Sequence, residues 1–411
     1  MNILHKGVYY RERFVLIIIT FLSFGCYGFF LDSVMTKFVY MAIGLLILFF
    51  SLGTFVSNNR DRYFKIIKYI IISVLVSFFP AYLFWGQDFL LTFRVVYPCF
   101  YLMVFFYLYK KDYPTCMIEK YVILFGLLYS VIWIYAILFD MSLVMERLDD
   151  DFDDSRGMVR FRLDGGCMLY LAYFICLNKF RCEKKYKYLV LTVLFFAMMF
   201  FQLTRQLIVI SLLVSLLYLF SHKIKLLLLL IGVSLLMFKS IQTIDPNKIS
   251  YEPLRAMVVL SIQQAEESEA GEENIRITAY KYFFSDFPTN IVTKIFGNSF
   301  PHSESQYGKL EEKLKLQGLF LSDVGYGEIY VTFGIFGLVL YLLLFISCSF
   351  AKLPPELLYA KLYIIFMALY TITTNYYSMI DGKITIAICV YIIMKYRINT
   401  VANINHNLYK N

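Results

Sequence analysis

Four arginines, Arg147, Arg156, Arg160 and Arg162, stand in the stretch MERLDDDFDDSRGMVRFRLDGG, with no lysine among them. A guanidinium is a planar fork of donors suited to phosphate oxygens, and it stays charged at any physiological pH. Arg156 and Arg160 are therefore candidates to grip an anionic ligand. The aspartates of the same stretch, from Asp149 to Asp154, can instead pair with them in a solvated loop, or offer oxygens to a divalent cation, but at no spacing that fits a cation loop. Arg205, in FFQLTRQLIVI, stands between two apolar blocks with almost no loop to solvate it. An ionisable group there is costly and so a functional candidate, against the plain reading that it snorkels to lipid headgroups. Arg94, in QDFLLTFRVVYP, has the same two readings. Arg276 precedes NSFPHSESQYG, which contains His302. Histidine is the side chain suited to proton transfer near neutral pH, although a lone loop histidine is more often inert. Asp323, in LFLSDVGYGEIYVTFGIFG, is a second proton acceptor by type. It is also a candidate helix N-cap, as is Ser322.

The elements that must hold these residues are apolar. Hydrophobic residues make up 60% of the chain, charged residues 17%, and the mean hydropathy is +0.64. A soluble chain carries about a quarter charged residues. The apolar residues come in blocks long enough to cross a bilayer, and the pattern predicts an all-α, polytopic transmembrane bundle of twelve spans. These lie near 14–30, 36–56, 66–85, 90–109, 118–139, 165–180, 186–203, 205–221, 224–241, 324–349, 357–378 and 383–396. The block from Phe14 to Phe30 follows a basic N-terminus without a small-residue cleavage site, and reads as an uncleaved first span. The eight cysteines have no metal-like spacing and fall mostly in apolar blocks, as small buried residues do. No internal repeat of the kind found in many transporters is visible.

The net charge of +9 does not imply nucleic acid, because Lys and Arg gather in alternate short loops. That alternation is the positive-inside pattern, and it predicts cytoplasmic termini. Cytoplasmic loops then carry Arg60 and Arg62, Lys110 and Lys111, the cluster from Lys179 to Lys187, Lys352, and Lys395 with Arg397. Two hydrophilic segments fall outside, near 140–164 and 242–322. The domain plan is thus spans at 1–241, a large outer loop at 242–322, spans at 323–396 and a cytoplasmic tail at 397–411. The large loop is predicted to carry amphipathic helices near 253–264 and 275–287 and a turn at Gly297-Asn298. A long loop with helices of its own usually has a job.

The order of these features resembles a family. Many spans, a loop with outward arginines, a TRQ turn between two spans, an outer loop with arginine, an FGN-type turn and P-H-S, and SDVGY entering a span marked FGIFG together resemble the Wzy-type O-antigen polymerases, and more distantly the O-antigen ligases. The resemblance runs over about residues 150–345; the first 140 residues match only as a series of spans. It implies a glycosyltransferase of the bacterial inner membrane that joins undecaprenyl-pyrophosphate-linked oligosaccharide repeat units on the outer face, for lipopolysaccharide or another polysaccharide. It further implies that Arg156 or Arg160, Arg205 and Arg276 hold anionic substrate, with Arg94 a further substrate-binding candidate, and that His302 is the catalytic base with Asp323 in reserve. His302 matches the ligases' histidine, but Gly318 comes late for the ligase pattern, which favours the polymerase. No phosphate-cradling glycine loop is present, and the resemblance implies no cofactor and no metal. Membrane lipids and a chain-length regulator complete the partners it allows. Three alternatives stay open: an O-antigen ligase, a lipid-linked oligosaccharide flippase or transporter, and a metal-dependent glycosyltransferase using an outer acid such as Asp32.

Overall fold

The apolar blocks fold as helices whose limits follow the sequence pattern. The structure, a computed structural model, describes residues 17–18, 33–139, 152–153, 158–159, 165–202, 204–220, 245, 248, 255, 258–259, 262, 275–287 and 290–408. In chain order the helices are α1 (Ser33–Val56), α2 (Arg62–Val76), α3 (Phe78–Trp85), α4 (Phe89–Val96), α5 (Val104–Lys111), α6 (Thr115–Phe139), α7 (Gly166–Glu183), α8 (Tyr186–Phe201), α9 (Arg205–Phe220), α10 (Ile275–Lys281), α11 (Ile291–Phe296), α12 (Gln306–Leu316), α13 (Gly325–Ser349), α14 (Leu358–Tyr370) and α15 (Ile380–Leu408). Phe152–Asp153 pairs antiparallel with Met158–Val159, the one extended pairing among the described residues.

Among the described residues, five stretches are long and apolar enough to cross a membrane: Phe38–Val56, Arg62–Trp85, Phe89–Lys111, Thr115–Tyr135 and Gly325–Ser349. α8 and α9 are apolar but shorter. Helices also stand at the predicted spans 165–180, 357–378 and 383–396, as α7, α14 and α15. The last starts earlier than expected, at Ile380, and runs past 396 to Leu408. The predicted spans 14–30 (apart from 17–18) and 224–241, and most of the predicted helix at 253–264, lie outside the described residues.

Two long stretches bend where proline requires it. Pro80 lacks an N–H and its ring crowds the carbonyl four residues back, so α2 ends at Val76 and α3 restarts after Ser77. Pro98 acts likewise: α4 stops at Val96 and a tighter 3-10 segment, Tyr97–Met103, leads into α5.

Three segments are buried all round and form the centre: Cys99–Phe106, Gly166–Asn178 and Asp381–Met394. A helix apolar on every face belongs inside a bundle. Lipid is as apolar as leucine, so close packing and interhelical hydrogen bonds must join the helices. Tyrosine, with 35 copies, supplies many of those bonds. Tyr101 donates to Tyr40 O at 2.8 Å, Tyr170 to Gln202 Oε1 at 2.6 Å and Tyr391 to Tyr113 O at 2.8 Å. Each such bond contributes about 0.6–1.7 kcal/mol in a membrane bundle.

The connections define two ends. At one, Tyr63 at the start of α2 donates to Ser347 O near the end of α13 at 3.1 Å, and Lys395 pairs with Asp112 at 2.7 Å. Lys179 pairs with Glu119, which also accepts from the Tyr359 hydroxyl at 3.0 Å. This is the basic end. The other end holds the C-terminus of α3 and the N-termini of α7, α9, α13 and α15.

Candidate functional site

At that other end the segment 297–307 is fastened to the bundle by buried polar contacts. Gly86 ends α3 in the left-handed region (φ 59°), which turns the fully buried Gln87 inward. Gln87 Oε1 accepts from the His302 N–H and from the Ser305 hydroxyl, each at 2.9 Å. Its Nε2 donates to Phe300 O at 2.9 Å and to Thr92 Oγ1 at 3.1 Å. Every hydrogen-bonding site of the amide is thereby used. Beside it, Trp85 Nε1 donates to Asn298 Oδ1 at 2.8 Å, and the indole stacks on Tyr307 with centroids 4.7 Å apart.

The same segment docks on a break in α13. Gly334 leaves helical geometry there (φ 67°, ψ −174°), freeing carbonyls of the preceding turn. The Asn298 and Ser299 N–H groups donate to Val331 O and Thr332 O, both at 2.8 Å. Backbone approaches backbone so closely that a Cβ on Gly297 would lie 2.2 Å from Thr332 O, and one on Gly334 2.2 Å from Ile295 O. The predicted turn at Gly297-Asn298 is present, but buried in this contact rather than set in a solvated loop.

Beneath the segment, ionisable side chains lie inside the bundle. Glu328, in the first turn of α13, is 5% exposed. Its Oε1 accepts from Asn375 Nδ2 at 3.3 Å, while its Oε2 has no partner. Lys383 is fully buried; its ammonium donates to the Tyr341 hydroxyl and stands 4.9 Å from the ring centres of both Tyr341 and Tyr377. Asp381, two residues earlier and so on another face of α15, accepts from the Cys167 N–H at 2.8 Å. That donor belongs to the first turn of α7, where a helix favours negative charge.

The turn 371–378, between α14 and α15, gathers several elements. Thr373 Oγ1 donates to Gln206, the neighbour of Arg205. The Tyr280 hydroxyl, one helical turn from Arg276, donates to Ile372 O. Gly325 packs on the carbonyls of Thr371 and Thr374. Burial pushes the Tyr280 phenol up from its ordinary pKa, and Arg276 nearby pulls it back.

The predicted residues therefore fall in three places. Arg205, half-buried at the start of α9, Arg276, exposed on α10, and Asp323, two residues before Gly325, stand around the turn 371–378. His302 is held separately at Gln87, with its Nδ1 accepting from the Glu304 N–H at 3.2 Å. A neutral imidazole so engaged carries its proton on Nε2 and presents a donor. Arg94 is exposed in the last turn of α4, apart from the buried acids. Arg156 and Arg160 lie outside the described residues. The N-cap expectation fails: Val324 occupies that position and neither Ser322 nor Asp323 caps α13 with its side chain, because Leu321–Asp323 forms its own 3-10 turn.

Gln87, Glu328, Asp381 and Lys383 were missed by sequence reasoning. The available signal was ionisable residues at the edges of apolar blocks, in GYGEIY and IDGKIT. A cleft of about 470 Å³ lies at the basic end, lined by Arg62, Lys352 and Arg397 among others, and includes none of the predicted site residues. No protein-family model matches the chain, and no curated protein matches it.

Proposed function

We propose that the chain is a membrane glycosyltransferase that polymerises undecaprenyl-pyrophosphate-linked oligosaccharide repeat units on the outer face of the bacterial inner membrane, with twelve spans and cytoplasmic termini. The observation that carries this reading is that the segments bearing Arg205, Arg276 and Asp323 meet one turn, 371–378, through their neighbours Gln206, Tyr280 and Gly325, at the end opposite the basic one. If the basic end faces the cytoplasm by the positive-inside rule, these groups meet lipid-linked substrate where it emerges.

The chemistry fits those groups. A sugar on pyrophosphate is already activated. As its anomeric C–O bond breaks, negative charge builds on the leaving pyrophosphate. Arginines fixed in a partly dry site stabilise such charge more in the transition state than in the ground state. Arg205 and Arg276 take that role, with Arg94, Arg156 and Arg160 as further grips on anionic glycan or phosphate. His302, presenting Nε2–H, serves as a donor toward a phosphate or sugar oxygen. Polyprenyl tails remain in lipid, which accounts for a transferase made of spans.

The test is the full-length protein, purified into liposomes and supplied with lipid-linked repeat units. A ladder of longer glycans without an energy source is the expected result. Translocation without elongation overturns it in favour of a flippase. In cells, loss of a polymerase leaves single repeat units on the surface, whereas loss of a ligase leaves none.

A further inference from the structure

Glu328 is a buried carboxylate with one oxygen engaged and the other open. A buried carboxylate oxygen without a hydrogen bond costs free energy, and such atoms are rare unless something binds them. Glu328 Oε2 is one. The Tyr377 hydroxyl, fully buried, approaches the same carboxylate. Two buried hydroxyls without partners belong to Tyr307 and Ser299. Tyr307 is close enough for the carboxylates of Glu311 and Glu328 to add to burial in pushing its phenol well above its ordinary pKa. Ser299 is held on Thr332 O, and the Thr332 hydroxyl in turn donates to Glu328 O at 2.6 Å. Lys383, the nearest cation, is bound to the Tyr341 hydroxyl and leaves Oε2 open. Glu328 Oε2 and the Tyr377 hydroxyl thus stand together inside the bundle.

We infer that Glu328 is the proton acceptor for the sugar hydroxyl that attacks the donor, receiving it on Oε2. Asn375 orients the carboxylate through Oε1, and Tyr377 donates to the oxygen of the bound sugar. The inference rests on the polymerase reading. In the step itself the acceptor O–H breaks and its proton passes to Glu328. The acceptor oxygen bonds to the anomeric carbon, and the anomeric C–O bond to phosphate breaks. The bonding electron pair leaves with undecaprenyl pyrophosphate, and the proton then passes to that anion or to water. His302 is a poor alternative because Glu304 occupies its Nδ1 lone pair.

The test uses purified full-length protein in liposomes with lipid-linked repeat units. Glu328→Gln is expected to lower kcat about 100-fold, the scale of general-base catalysis, with binding of a fluorescent lipid-linked unit retained. Tyr377→Phe removes a hydroxyl that faces the Glu328 carboxylate while keeping the ring, and is expected to lower kcat about tenfold. It therefore serves even if Glu328→Gln fails to fold. Asp323→Asn is expected to lower kcat less than Glu328→Gln does. Wild-type turnover in Glu328→Gln or Tyr377→Phe, or a larger loss in Asp323→Asn than in Glu328→Gln, overturns the assignment while the polymerase reading stands. A wild-type protein that makes no polymer overturns both.

Discussion

Lys383 is a fully buried cation in the bundle, and its surroundings say how it is tolerated. One hydroxyl accepts from it, and two tyrosine rings face it at 4.9 Å. Aromatic faces attract a desolvated ammonium by about 2 kcal/mol. Glu328 nearby supplies the opposite charge. The two groups are not in ion-pair contact, but each offsets part of the other's buried charge. Lys383→Met is therefore expected to lower the thermal stability of the purified protein sharply. The double variant Lys383→Met with Glu328→Gln is expected to recover much of that loss, as read by melting temperature in detergent. Additive losses would show that the two groups act independently. Gln87 is a second such residue. Gln87→Leu leaves the His302 N–H and the Phe300 carbonyl without their partner, at about 1–3 kcal/mol for each group. Limited proteolysis in the segment 300–306 is expected to become faster than in wild type; an unchanged cleavage rate counts against the fastening role of Gln87.

At the scale of elements, the break in α13 is the feature that joins outer segment to bundle. Gly334 has φ 67°, where only glycine is at ease, and its missing Cβ makes room for Ile295 O. Gly334→Ala adds left-handed strain of about 1–3 kcal/mol to a 2.2 Å collision with backbone. The expected result is release of α11 and the segment after it, read as new accessibility of a cysteine placed at Ser299, with Gly53→Ala, where an added Cβ meets nothing within 4 Å, as the comparison. Protection of that cysteine in Gly334→Ala would refute the account. FGIFG was legible in the sequence as a motif, but its use was not, because a glycine that admits a distant backbone carries no periodic signal. Span limits were legible for the opposite reason. Residues 90–109 and 324–349 were expected, and α4–α5 and α13 run Phe89–Lys111 and Gly325–Ser349, since lipid imposes a length and an apolar composition on every turn. The candidate residues differ in how far sequence exposes them. Arg205, Arg276 and Asp323 stood out as charges at apolar borders, whereas Glu328 and Lys383 were absorbed into spans. Their significance lies in which helices meet, which spacing along one helix cannot state.

At the scale of the whole molecule, charge is sorted by end. Lys179, Lys395, Arg62, Arg397 and Lys352 gather at one end, and the fastened segment 297–307 covers the other. Positive-inside bias turns that sorting into an orientation, and native cysteines can report it. Cys116 and Cys182 are exposed, at the start of α6 and the end of α7, both at the basic end. Ser303 is exposed in the segment at the other end. A membrane-impermeant maleimide applied to intact spheroplasts is expected to label a Ser303→Cys variant and to spare Cys116 and Cys182. Permeabilisation should then open both native sites. The comparison is internal, since the same chain carries both reporters and misfolding would expose all of them together. Labelling of Cys182 in intact spheroplasts, with the thiol introduced by Ser303→Cys protected, would turn the molecule over and put Arg205, Arg276 and Glu328 at the cytoplasmic face. An outward-facing polymerase could not then use them, however well their chemistry suits a pyrophosphate.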